Sequence, residues 1–172
     1  MEDEIVNKVA ASALEVFDLE DYYPKGQRVT IDISQWLIDG FLLKEKEFRA
    51  ALKVHDWSQY EGSYVAISCS TDAIVPAWTT ILIALYLNEH AIFSASGTIE
   101  DLDSLLYKNL LSKIDFSIYQ DKMVIIKGCA RKPVPTNAYI MAAQHLQLYA
   151  KGIMYGEACS AVPLFKKSKS KV

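Results

Sequence analysis

The sequence predicts an α/β protein, a three-layer and mostly parallel sheet with helices on both faces. Three observations predict it. From Tyr64 onward, short apolar runs alternate with longer stretches of helical spacing, the pattern of strands joined by crossover helices. The short runs are continuous rather than alternating, as in strands covered on both faces. Val-Pro pairs stand where two of the longer stretches begin, at Val75-Pro76 and Val134-Pro135. Proline suits the first turn of a helix, where no intrahelical donor is lost, and the residue before it stays extended.

The elements follow in order. Residues 29–33 (VTIDI) alternate and predict a half-buried strand, and 41–43 a second short one. Residues 45–54 have helical spacing, with Phe48, Ala51 and Leu52 on one side, and 59–63 form a turn around Gly62. The regular part then reads strand 64–68, helix 75–88, strand 91–94, a helix opening at Thr98, strand 123–126, helix 136–149 and strand 153–155. Thr98 starts its helix because Asp101 stands three residues on, a capping arrangement, and Leu102, Leu105, Leu106 and Leu110 continue it. Helix 75–88 is apolar nearly all round, so the N-terminal region or a second subunit is expected to cover it, which makes a homodimer one expectation. Right-handed crossovers, with the four runs from residue 64 numbered in chain order, predict the strand order 2-1-3-4.

The 172 residues are expected to form a single domain: an N-terminal α+β extension over 1–60 packed on an α/β core over 61–165, with a frayed basic tail at 166–172. No repeat with a period of 20 to 50 residues is visible. Half of the residues are apolar and 23% are charged, an ordinary soluble balance. The net charge of −3 gives no electrostatic case for nucleic acid. The longest apolar run, residues 73–87, is too short to span a bilayer and contains Pro76, so no membrane partner is expected. The start, MEDEIVNK, lacks the basic and apolar stretches of a signal peptide. Three cysteines, an odd number, then predict a reducing cytoplasm rather than a disulfide framework.

Cys69, Cys129 and Cys159 each lie just past the end of a predicted strand, with a Val-Pro pair a few residues on. In a parallel sheet all carboxyl ends share one edge, where ligands bind. The order 2-1-3-4 makes the three cysteine-bearing strands neighbours, about 4.8 Å apart, close enough for the thiols to reach a common point. Three thiolates in a reducing compartment predict zinc or an iron–sulfur cluster with one open coordination position. Asp72, Glu157 and His55 are the candidates for a fourth ligand or a supporting partner. Lys127 and Arg131 flank Cys129 and are placed to lower its pKa. His145 lies on the apolar face of its helix and reads as a packing residue, and His90 sits at a helix end that favours a cation.

The motifs FDLEDYYP at 17–24, HDWSQY at 55–60, CSTDAIVP at 69–76, KGCARKPVP at 127–135 and YGEACSAVP at 155–163 resemble the bacterial domain-of-unknown-function family 2480. The resemblance covers nearly the whole chain. Ala158 stands where the family usually has proline, a change that removes no ligand. The family has no established activity. Its members are often encoded near sulfur-mobilisation genes, so the resemblance implies, by association, a role with iron–sulfur assembly proteins. It implies a site of Cys69, Cys129 and Cys159 with Asp72 and Glu157 nearby.

The leading expectation is thus a cytoplasmic three-cysteine metal site acting in iron–sulfur cluster assembly, transfer or repair. A first rival is a zinc-dependent hydrolase in which Glu157 or Asp72 serves as base to a metal-bound water. A second is a metal-free interaction module that docks a partner on helix 75–88. A nucleotide-binding enzyme ranks last, because no GxGxxG or P-loop pattern follows any strand.

Overall fold

A computed structural model describes residues 14–128, 131–157 and 160–168. The architecture is mixed α/β, with helices and strands interleaved and two mostly parallel sheets. In chain order the elements are β1 (Leu14–Asp18), β2 (Arg28–Asp32), α1 (Glu45–Val54), β3 (Tyr64–Ser68), α2 (Ala77–Leu87), β4 (Phe93–Ser96), α3 (Ile99–Leu111), β5 (Met123–Lys127), α4 (Thr136–Gln147), β6 (Gly152–Tyr155) and β7 (Val162–Lys166). Short 3-10 turns follow β1 and β2 and precede β3 and β5. Residues 41–43 do not form a strand; Ile38 and Leu42 make only an isolated bridge in a turn.

The expected single row of strands is corrected. One sheet has the order β2-β3-β4 and the other β1-β5-β6-β7. The sequence order 2-1-3-4 placed the strand now called β3 beside β5; each instead pairs with a strand from the first 32 residues, β3 with β2 and β5 with β1. All pairings are parallel except β6 with β7.

The chain divides into two compact units, one of residues 24–106 and one of residues 1–23 and 107–172. In the 24–106 unit, Val65 and Ile67 of β3 face a core built with Phe48 and Leu52 of α1 and Ile83 and Leu87 of α2. Ala66 points the other way, onto Leu102 and Leu106 of α3. Both faces of β3 are therefore covered by helices, and its buried stretch, Val65 to Ile67, is apolar without a break for that reason. In the other unit, Val124 and Ile126 of β5 pack with Phe17 and Leu19, with Tyr107 and Leu111 of α3 and with Ala138, Ala142 and Leu146 of α4. Tyr107 buries its ring and donates its hydroxyl to the Leu19 carbonyl at 2.8 Å, so a large apolar ring enters this core without an unmet polar atom.

The two units are structural repeats. Residues 45–97 match residues 104–156 at a constant spacing of 59 positions: Leu52 with Leu111, Asp56 with Asp115, Trp57 with Phe116, Tyr60 with Tyr119, Val65 with Val124, Pro76 with Pro135, Leu87 with Leu146 and Gly97 with Gly156. Asp56 and Asp115 both cap a 3-10 turn by accepting from the serine amide two residues on. In each unit a middle strand, β3 or β5, lies between an early strand and the strand that follows its crossover helix. The early strands end alike, β2 on Asp32 and β1 on Asp18, each accepting from the amide two residues on.

Candidate functional site

The expectation that the three cysteine-bearing strands are neighbours in one sheet is corrected. Cys69 leaves β3, which belongs to the β2-β3-β4 sheet, whereas β5 and β6, the strands before Cys129 and Cys159, belong to the other sheet. Cys129 and Cys159 themselves lie outside the described residues. The repeat shows that the first two cysteines do not occupy equivalent positions either, since Cys69 matches Gly128 and Cys129 matches Ser70. Among the described residues no group of three or more His, Cys, Asp or Glu side chains could hold a metal ion. The three-cysteine zinc or iron–sulfur centre, the cluster-assembly function drawn from it and the zinc-hydrolase alternative are overturned together, because all three required that shared site.

The described candidates have ordinary surroundings. Cys69 is a free, half-buried thiol packed at the edge of the α1/α2 core. Its sulfur lies 3.4 Å from the Thr71 hydroxyl, which donates to the Gly40 carbonyl at 2.6 Å. Asp72 and Glu157 are exposed, one in each unit. His55 caps the carboxyl end of α1 and leads into the amino end of β3, while Cys69 leaves the opposite end of that strand. Its ring stacks on Tyr60, meets Trp36 and Trp57 edge-on, and lies 3.0 Å from the Tyr60 hydroxyl. Burial in this aromatic nest pushes its pKa down, with the Asp56 charge partly opposing. Burial likewise pushes the Tyr60 phenol up. His145 stacks on Phe116 at 4.9 Å, the packing role its helical position predicts.

At the carboxyl ends of the strands the chain is tied down rather than left open. Asp32 accepts from the amides of Ser34 and Ser70, each at 3.0 Å, and from the Ser70 hydroxyl. The Ser70 hydroxyl bond leads the effects that hold the Asp32 carboxyl far below the usual range, against the opposing effect of burial. A carboxylate held ionised so strongly is a poor general base near neutral pH, and the Asp32-Ser70 pair contains no histidine to relay a proton. The cluster closes a turn, and its chemistry does not activate Ser70. In the other unit the matching places are held by charges. Asp18 pairs with Lys127 at 3.2 Å, and the hydrogen bond that Lys127 donates to its carboxylate raises the Lys127 pKa. Glu20, 4% exposed, accepts from the Arg131 amide at 2.7 Å and from its guanidinium at 3.1 Å. Lys127 and Arg131 thus have carboxylate partners of their own. Sequence reasoning missed these ties; the signal was an aspartate closing both early strands, in VFD and TID.

The surface that stands out chemically is the outer side of α2. Residues 73–88 contain no charged side chain. Thr79, Ile83 and Leu87 are buried, but Ile81 and Leu85 are 60% and 65% exposed, and Ile92 beyond the helix is 55% exposed. The helix is thus covered on one side rather than all round. Ile81, Ala84, Leu85, Ile92, Phe93 and Ser94 line an apolar groove of about 470 Å³ between α2 and β4. On the matching helix α4, Gln144 stands for Leu85 and Gln147 for Asn88. No described helix is long and apolar enough to cross a membrane.

A family model described as a protein of unknown function, DUF2480, matches residues 3–167. The chain belongs to this family. No curated protein and no solved structure matches it. Membership in DUF2480 accounts for the ordered motifs along the chain and brings no activity with it, so function has to be argued from the surface just described.

Proposed function

We propose that this DUF2480 chain is a protein-interaction module that works without a metal and docks a protein partner on the outer face of α2. The observation that supports this is the pairing of Ile81, Leu85 and Ile92, each more than half exposed, with a 73–88 stretch free of charge. Apolar residues scattered singly over a surface need no explanation, but a contiguous apolar groove marks a contact site. At the matching places Gln144 stands for Leu85 and Lys151 for Ile92, while Ile140 keeps the apolar character of Ile81, so the apolar surface particular to α2 centres on Leu85 and Ile92. Leu85 borders a second hollow with Trp57 and Tyr86, whose rings stack at 5.0 Å and give the partner an aromatic floor. We place the module in the cytoplasm, where a free thiol such as Cys69 persists.

A photoreactive amino acid at position 85 tests the reading. On irradiation in cells it is expected to give one discrete protein adduct, and the same group at Lys108 on α3 is expected to give none. Absence of any adduct from position 85 would remove the proposal.

A further inference from the structure

The repeat indicates what belongs in the α2 groove. In the unit of residues 1–23 and 107–172, the outer edge of β6 pairs with β7, antiparallel, with Ile153 opposite Phe165. Leu164 and Phe165 of that strand line the hollow with Ile140, Ala143 and Gln144 of α4. Every one of those helix positions has its counterpart 59 residues earlier, at Ile81, Ala84 and Leu85 on the wall of the α2 groove. Strand β6 itself corresponds to β4: Gly152 matches Phe93 and Tyr155 matches Ser96. Among the described residues, however, no strand pairs with the outer edge of β4. Ser94 stands where the other unit has Ile153, which leaves that side of the groove wide.

We infer that the missing neighbour is supplied by a second copy of this chain, whose β4 pairs antiparallel with β4 while the two α2 faces close over the seam. This rests on the docking reading and names its partner. Three features select a second copy. An edge strand paired with its own twin about a two-fold axis is antiparallel by symmetry, and antiparallel is the sense in which β7 fills the corresponding place. A two-fold contact sets the same patch against itself, so residues 73–88, which carry no charge, meet a surface that also carries none. The chain's own β7 is already engaged on β6 and is not free to fill the site. The product is a continuous six-stranded sheet, β2-β3-β4 followed by the same strands in reverse from the partner. The open β4 edge of each copy is removed, and Ile81, Leu85 and Ile92 are covered.

Sedimentation equilibrium of the purified full chain, with amide hydrogen exchange of residues 93–96 over a dilution series, tests the inference. The expected result is twice the chain mass, with amides in 93–96 losing protection as dilution splits the dimer. Leu85→Lys, at a position 65% exposed and outside the core, is expected to give a folded species of single mass in which the amides of 93–96 not bonded to β3 exchange freely. A monomer at the highest soluble concentration would overturn the inference, as would a dimer whose 93–96 amides exchange at the monomer rate. The docking reading fails separately, on the absence of any adduct from position 85. An adduct with a different protein, from a chain that is monomeric when pure, would keep that reading and discard the second copy.

Discussion

The buried ion pair between Arg28 and Asp103 offers a severe test of how the 24–106 unit is held together. Two nitrogens of the Arg28 guanidinium, Nε and Nη2, donate to the same oxygen of Asp103 at 3.0 and 2.9 Å. The side chains are 11% and 3% exposed, so neither is solvated well enough to stand alone. The pair joins β2 to α3 on the side of the sheet opposite α1 and α2. Removing one partner of such a pair costs about 3–5 kcal/mol, because a charge is left buried without its counterion. Arg28 also donates to the carbonyls of Pro24 and Gly26 and lies over the Tyr64 ring, contacts that survive Asp103→Ala. The expected loss is therefore at the low end, about 3 kcal/mol, or a fall in Tm of roughly 6–12 °C for a chain of this size. Urea unfolding followed by tryptophan fluorescence measures it. The double substitution Arg28→Met with Asp103→Leu is expected to recover most of the loss, since no charge is then stranded. A loss below about 1 kcal/mol for Asp103→Ala would show that the pair behaves as a solvent-exposed bridge and would refute the reasoning.

Three further outcomes are expected. Leu87→Ala and Leu146→Ala, at matching and fully buried positions, should each cost about 2–5 kcal/mol and differ by little; a neutral result at either would break the equivalence of the two cores. His55 has its folded pKa pushed below the unfolded value of about 6.5, so the folded state binds fewer protons, and stability should fall as pH drops through that region. His55→Asn should flatten this pH dependence of Tm, and an unchanged slope between about pH 5 and 7 would assign it elsewhere. Incubation with EDTA should shift Tm by less than about 1 °C, because a resident metal would stabilise the folded chain by mass action and its removal would register as a drop.

Local structure was legible where one strong physical preference acts alone. Helix 45–54 and strand 64–68 coincide with α1 and β3 because charged and apolar residues segregate cleanly there. The Thr98 cap is formed as its spacing implies, with the Thr98 amide and hydroxyl both donating to the Asp101 carboxylate at 2.8 Å. Strand β1 was hidden because LEVFD lies among acidic residues and is short. Strand β7 was hidden by Pro163, which is tolerable only because the strand sits at the sheet's end. The division into two sheets was not legible from strand order, since β1 and β2 pair in parallel with partners reached only after long excursions of the chain. That one error carried the metal site with it: cysteines assigned to neighbouring strands of one sheet became a ligand set only on paper. The repeat was available in the sequence, in DWSQY against DFSIY and in the two Val-Pro pairs, but its 59-residue spacing lies beyond the periods of ordinary repeat arrays. The aspartates that close β2 and β1 were likewise in view, and only the fold shows that they serve the same turn twice.

The most direct measurement compares the masses of two variants in solution beside the wild-type chain, Leu85→Gln and Cys69→Ser. Leu85→Gln installs the residue that the matching helix carries at its own exposed position. A second copy docked on α2 predicts that Leu85→Gln runs as a single chain while Cys69→Ser keeps the wild-type dimer mass. The reverse, assembly that survives Leu85→Gln and collapses with Cys69→Ser, would return the function to the thiol and contradict the account.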